Sequence, residues 1–159
     1  MSSQLKSLFI VALLAAPPAV LAQGLIHARQ TIFGMDCAPC AYGIEKGLGK
    51  LPGVTSVKVS LNDGYAELTA SAGSLLSVAQ IREVIRNNGF TPKEARIDLE
   101  GMLQLTPDPQ LLVGKTSYPL MLPTGTAGVS SGERVSLTGV VATNELRVQV
   151  EKIAPAPLR

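Results

Sequence analysis

The sequence predicts an α+β fold of order β-α-β-β-α-β followed by a smaller β-rich region. Three observations predict it. Strand-like alternation gives way twice to helical spacing before residue 98. The turn Asn62-Asp63-Gly64 sits between the two middle strand candidates and is a strong hairpin signal. Beyond Asp98 the apolar residues alternate, with Gly and Pro as punctuation.

The elements follow in order. Leu25 to Phe33 reads as a strand, and Gly34-Met35-Asp36 as a turn. A helix follows, with Pro39 in its first turn, where a missing N–H costs nothing, and with Ala41, Ile44, Leu48 and Leu51 at helical spacing. Gly43, Gly47 and Gly49 weaken this helix in isolation, so tertiary packing must hold it. Val54 to Leu61 and Tyr65 to Ala70 are the hairpin strands. Ser77 is a candidate N-cap for a second helix whose inner face is Val78, Ile81, Val84 and Ile85. Asn88-Gly89 ends that helix, with Gly89 suited to a left-handed C′ position. Thr91 to Ile97 closes the set, giving the ferredoxin-like arrangement of two helices on one face of a four-stranded antiparallel sheet. Its expected core is Ile32, Ile44, Leu48, Val57, Val59, Leu68, Ile81 and Ile85.

Residues 98–153 read as a small β-rich domain, an open sheet or a barrel, with strand candidates at Leu99–Leu105, Tyr118–Leu122, Val135–Val141 and Leu146–Val150. About 55 residues is marginal for independent stability, so this region is expected to pack on the first. Residues 154–159 read as a disordered tail.

Residues 1–22 have the form of a cleaved secretory leader. Lys6 supplies the positive end, Leu8 to Ala16 the short apolar stretch, and Val20-Leu21-Ala22 the small-residue cleavage site. The apolar stretch is too short to span a bilayer as a helix, so no stable membrane anchor is expected after cleavage. The organisation is therefore 1–22 leader, 23–97 α+β domain, 98–153 β-rich domain and 154–159 tail, in a periplasmic or secreted protein. Net charge is +2 with the basic residues scattered, which argues against nucleic acid as a partner. With one His, no nucleophile elbow and no Walker sequence, no enzyme signature is present.

Chemistry concentrates in Phe33-Gly34-Met35-Asp36-Cys37-Ala38-Pro39-Cys40. Cys37 and Cys40 are the only cysteines, spaced C-x-x-C at the start of a predicted helix. A helix N-terminus stabilises nearby negative charge and so favours thiolates. Two converging thiolates suit soft ions, with Cu(I) and Hg(II) first because they accept two-coordination, and Zn(II) or Cd(II) as further candidates. A structural zinc site wants four ligands, and the chain has no second C-x-x-C.

The set Gly34-Met35-Asp36-Cys37, Cys40, Ile44-Glu45, Leu48, Gly53-Val54, Val57, Val59, Ile85 and Gly89-Phe90 resembles the heavy-metal-associated domain family over about 70 residues. That family includes copper chaperones, periplasmic mercury-binding proteins and the N-terminal modules of soft-metal P-type ATPases. The resemblance implies the same fold, Cys37 and Cys40 as metal ligands, and a membrane metal transporter or P-type ATPase as partner. Residues Tyr118–Pro123, Arg134–Val141 and Leu146–Ile153 faintly resemble an OB-like barrel. Asp36 departs from the Thr common in chaperones and resembles zinc-, cadmium- and lead-exporting modules, where it adds an oxygen ligand. The alternative is that Asp36 caps the helix.

Neighbouring residues are read conservatively. Met35 is expected to turn inward. His27 is taken as an ordinary strand residue away from the loop. Phe90 either shields the sulfurs or fills the core edge, Tyr42 lies at the rim, and Glu45 and Lys46 are solvated helix charges. Two rival functions stay open. One is thiol–disulfide chemistry through the C-x-x-C. The other is a binding or assembly role for the β-rich region, with the metal accessory. A bare structural disulfide is a poor staple, because the loop it closes is tiny.

Overall fold

The chain alternates as β1 (Gly24–Phe33), α1 (Ala38–Gly49), β2 (Val54–Ser60), β3 (Tyr65–Ala70), α2 (Val78–Asn87), β4 (Thr91–Gln104), β5 (Gln110–Val113), β6 (Thr116–Met121), β7 (Arg134–Val141) and β8 (Val148–Pro155). This computed structural model describes residues 23–126 and 128–157, so the leader and its cleavage site lie outside the described residues. Among the described residues no helix is long and apolar enough to cross a membrane.

The first half has strand order β2-β3-β1-β4, all antiparallel, as the sequence pattern predicts. Both helices form where the spacing places them. Pro39 sits in the first turn of α1, and Lys50 caps its end. Ser77 caps α2 and accepts from the Gln80 amide, while the Gln80 side chain returns to the Ser77 amide and closes a capping box. Ile32, Ile44, Leu48, Leu68, Ile81 and Ile85 are buried as expected. Val57 and Val59 are only half-buried, because β2 is the free edge of the sheet and has a neighbour on one side alone.

The boundary expected at Ile97/Asp98 falls inside one continuous strand. One edge of β4 pairs with β1 from Thr91 to Glu100 and then with β5 from Met102 to Gln104. Its other edge pairs with β7 from Ala95 to Met102. Gly101 sits at the hand-over from β1 to β5. A Cβ there would meet the Leu112 carbonyl oxygen and come within 3.0 Å of Leu111 Cγ and Val113 Cγ2. Only glycine lets the two backbones approach so closely at this corner.

The second half is a five-stranded barrel, in the order β4-β5-β6-β8-β7 with β7 closing on β4. The β6–β8 pairing is parallel. Its core, including Leu103, Leu111, Tyr118, Val135, Leu137, Val148 and Val150, is continuous with that of the first half. The sequence divides 23–97 from 98–153 at a change of pattern. The structure instead shares one strand and one core between them.

Two further expectations are corrected. Leu146 is not a strand residue; it is exposed in the loop before β8. The tail expected from 154 begins as paired strand. Ser136 lies opposite Ala154 and Val135 opposite Pro155, and the Ala156 amide donates to Arg134 O at 2.9 Å.

Candidate metal centre

β1 delivers the chain to the motif and Gly34 turns it, with φ +89, a conformation that glycine adopts without steric penalty. The turn drops Met35 into the core and leaves Asp36 exposed. Cys37 follows in extended geometry, φ −131 and ψ 143, and is the N-cap of α1. Its Sγ accepts from the Cys40 amide at 3.2 Å. Its carbonyl accepts from the amides of Cys40 and Ala41 at 3.0 and 3.1 Å. The capping role offered for Asp36 therefore belongs to Cys37. The reason is register: α1 starts at Ala38, one residue too late for Asp36 to be the cap.

The half-buried cysteines are joined as a disulfide, with Cα atoms 5.1 Å apart. In this form neither sulfur is a thiolate. Metal binding through the pair requires two-electron reduction first. A carboxylate oxygen of Asp36 and the two sulfurs all lie within 4.8 Å of one another. These three residues are the groups with metal-ligating spacing among the described residues.

The surroundings of the loop are apolar and cationic. Phe90 is half-buried against the core, with Cδ1 4.0 Å from where a Cβ on Gly34 would stand. It lines the back of the loop. Phe33 is 67% exposed, with Lys93 Nζ 5.2 Å from its ring centre, and Tyr42 is 61% exposed, with Lys46 Nζ at 5.4 Å. No expectation gave Phe33 a role. Its place on β1 immediately before the motif glycine was the available signal.

His27 is remote from the sulfurs. It lies six residues before the end of β1, about 20 Å along the strand from Phe33. Its Nε2 is 3.1 Å from Glu67 Oε1 and its Nδ1 3.6 Å from Asp98 Oδ2. Thr138 Oγ1 donates to the other Asp98 oxygen at 2.7 Å. This ties β1, β3, β4 and β7 together across the sheet.

The buried polar residues Arg82 and Gln30 were overlooked. Gln30 donates to Thr31 O, Lys93 O and Glu94 O. Arg82, on α2, reaches carbonyls of β7 and the β7–β8 loop. The clue was spacing: Val78, Ile81, Arg82 and Ile85 follow i, i+3, i+4, i+7, which puts Arg82 on the inner face.

Comparison with known proteins accounts for the first half. The profile of the heavy-metal-associated domain matches residues 30–91. The chain is 32% identical over 69 residues to the copper chaperone CopZ of Staphylococcus haemolyticus, covering 43% of this chain and all of that protein. It is 37% identical over 73 residues to a copper-exporting P-type ATPase of Bacillus subtilis, covering 45% of this chain and 9% of that protein. It thus spans under a tenth of the ATPases that it matches. A solved N-terminal domain of a potential copper-translocating ATPase from Bacillus subtilis is 29% identical, covering 43% of this chain and 84% of that domain, with TM-score 0.39. With the whole of a chaperone-length relative covered at this identity, and with Cys37 and Cys40 seated at the start of α1, the chain belongs to the heavy-metal-associated domain family.

Proposed function

We propose that the chain carries a soft cation, Cu(I) first, on the reduced thiolates of Cys37 and Cys40, without catalysing a reaction. The observation that carries this reading is the placement of two cysteines, and no others, at an exposed helix N-terminus. Two sulfurs satisfy Cu(I) or Hg(II) and leave room for a third. Release follows by ligand exchange: a thiolate from a partner joins the ion, one Cys–metal bond breaks, and the freed cysteine leaves as thiolate. A closed four-ligand cage would block that step. Relatives named as copper chaperones and copper-exporting ATPases support Cu(I) and suggest a P-type ATPase or another membrane transporter as partner. Asp36, released from capping, is available as an oxygen ligand for Zn(II) or Cd(II).

The leader supports export of the mature chain, beginning after Ala22, to the periplasm or beyond. N-terminal sequencing of the mature protein checks this. In an oxidising compartment the disulfide is then the resting form, and exchange with an external dithiol, which leaves as its own disulfide, frees both sulfurs for metal. The strand order β4-β5-β6-β8-β7 and its one parallel pairing support reading the C-terminal region as an OB-like barrel on which the metal domain is built.

Competition for Cu(I) against a chromophoric chelator tests the central claim. Reduced protein is expected to take up one ion, while the Cys37→Ser, Cys40→Ser double variant and the oxidised protein take up none. Equal uptake by the double variant overturns it. The observed disulfide also favours a second reading, a thiol–disulfide exchanger. Turnover in an insulin-reduction assay, without tight Cu(I) binding, would select that reading instead.

A further inference from the structure

We propose that the notch between α2 and the β7–β8 loop binds a small oxyanion, phosphate or a carboxylate, through Arg82 and Arg86. The notch has a volume of about 260 Å³ and is lined by Arg82, Arg86, Thr143, Asn144 and Glu145, among others.

Arg82 is 3% exposed. Its Nε donates to Gln30 Oε1 at 3.4 Å and its Nη1 to Glu145 O at 2.9 Å. Its Nη2 faces Lys93 O, Val141 O and Ala142 O at 3.4, 3.2 and 2.7 Å. Every one of these acceptors is neutral. A buried charge is ordinarily paired with an opposite one, and among the described residues no carboxylate pairs with Arg82. Nη1 carries two N–H groups and has one acceptor, so one donor of the fork remains free.

Arg86 stands one turn further along α2 and is exposed, and its side chain has no ion pair or hydrogen bond among the described residues. Two like charges at i, i+4 repel. Burial, and then Arg86, hold the Arg82 guanidinium below its ordinary pKa. Opposite them the loop contributes Thr143 and Asn144 to the lining, two residues whose side chains can donate to an anion. Glu145 also lines the notch, and it meets Arg82 through its backbone carbonyl, with no ion pair from its carboxylate to either arginine. The one free N–H of Arg82 and the uncommitted guanidinium fork of Arg86 match an oxyanion, whose several acceptor oxygens accept N–H groups from more than one side.

The test is thermal unfolding of the full chain in phosphate and, separately, in malonate, each against chloride at matched ionic strength. A saturable rise in Tm of about 5–10 °C near 100 times Kd is expected from the preferred anion. The stronger of the two names the ligand as phosphate or carboxylate. Arg86→Gln, a change at an exposed position, should weaken the response at least fivefold. In parallel, amide NMR shifts of Thr143 and Asn144 in the unmodified protein should move with the same apparent affinity. No rise beyond chloride with either anion overturns the proposal. So does an unchanged response in Arg86→Gln, or shifts that leave Thr143 and Asn144 in place.

Discussion

In the first half of the molecule the sheet stays open: β2 is a free edge, and two helices cover one face. In the second half β7 returns to β4, and the sheet closes around its own core. The sulfur loop belongs to the open half, at the end of β1, where it needs only the Gly34 turn and the α1 N-terminus to set its geometry. Among the described residues the closed half has no cluster of ligand groups like the one at Asp36, Cys37 and Cys40; it contributes the far edge of β4 and the carbonyls that receive Arg82. The sulfur loop sits where packing is one-sided, and its support comes from the part that encloses itself.

If this division of labour is right, the two halves must unfold as one. The largest effect should come from Arg82→Met, which strips hydrogen bonds from carbonyls of β7 and the β7–β8 loop. A loss of about 4 kcal/mol is expected in urea unfolding, because buried acceptors are left unmet. A transition that splits in two would sharpen the comparison by showing that Arg82 couples the halves. Next, Leu48→Ala in α1 and Leu137→Ala in β7 should each cost about 3 kcal/mol, since both side chains are fully buried. Each should lower the same single midpoint, whether followed by near-UV signal from Tyr42 or from Tyr118. Separate midpoints would break the comparison.

Ser77→Ala should cost about 1 kcal/mol, the worth of a helix cap. It should leave Cu(I) uptake unchanged, because the cap lies at the opposite end of α2 from Phe90. The smallest change belongs to Tyr118→Phe. The Tyr118 hydroxyl is buried without a hydrogen-bond partner, so its removal should alter stability by less than about 1 kcal/mol at neutral pH. Burial raises the Tyr118 phenol above its ordinary value of 10.0. Unfolded chain therefore loses the proton first as pH rises, and stability falls above about pH 10. Tyr118→Phe should flatten that fall, as alkaline unfolding curves would show.

The order β1 to α2 was legible because period-2 and period-3.6 patterns alternate cleanly and each turn carries its own chemistry, as at Asn62-Asp63-Gly64 and Gly89. The sulfur pair was legible because no other cysteines compete for the reading. The continuity of β4 was not. Pattern alone shows Ala95, Ile97, Leu99 and Leu103 on one face, but not that three partners divide the two edges. The identity of the α1 cap turned on a single residue of register, which periodicity does not resolve. Arg82 was hidden by its type, since a charged residue reads as solvated until the carbonyls that satisfy it are in place.

The uninterrupted β4 has a consequence for how such a molecule can be cut or assembled. Fourteen residues at strand rise give a beam of about 46 Å that belongs to both halves. Severing the chain after Ile97 would leave one piece without the outer part of its sheet edge and the other with only half of its first stave. Seen the other way, one lengthened stave of a small barrel, with Gly101 where its neighbour changes, carries the half that holds the sulfur loop.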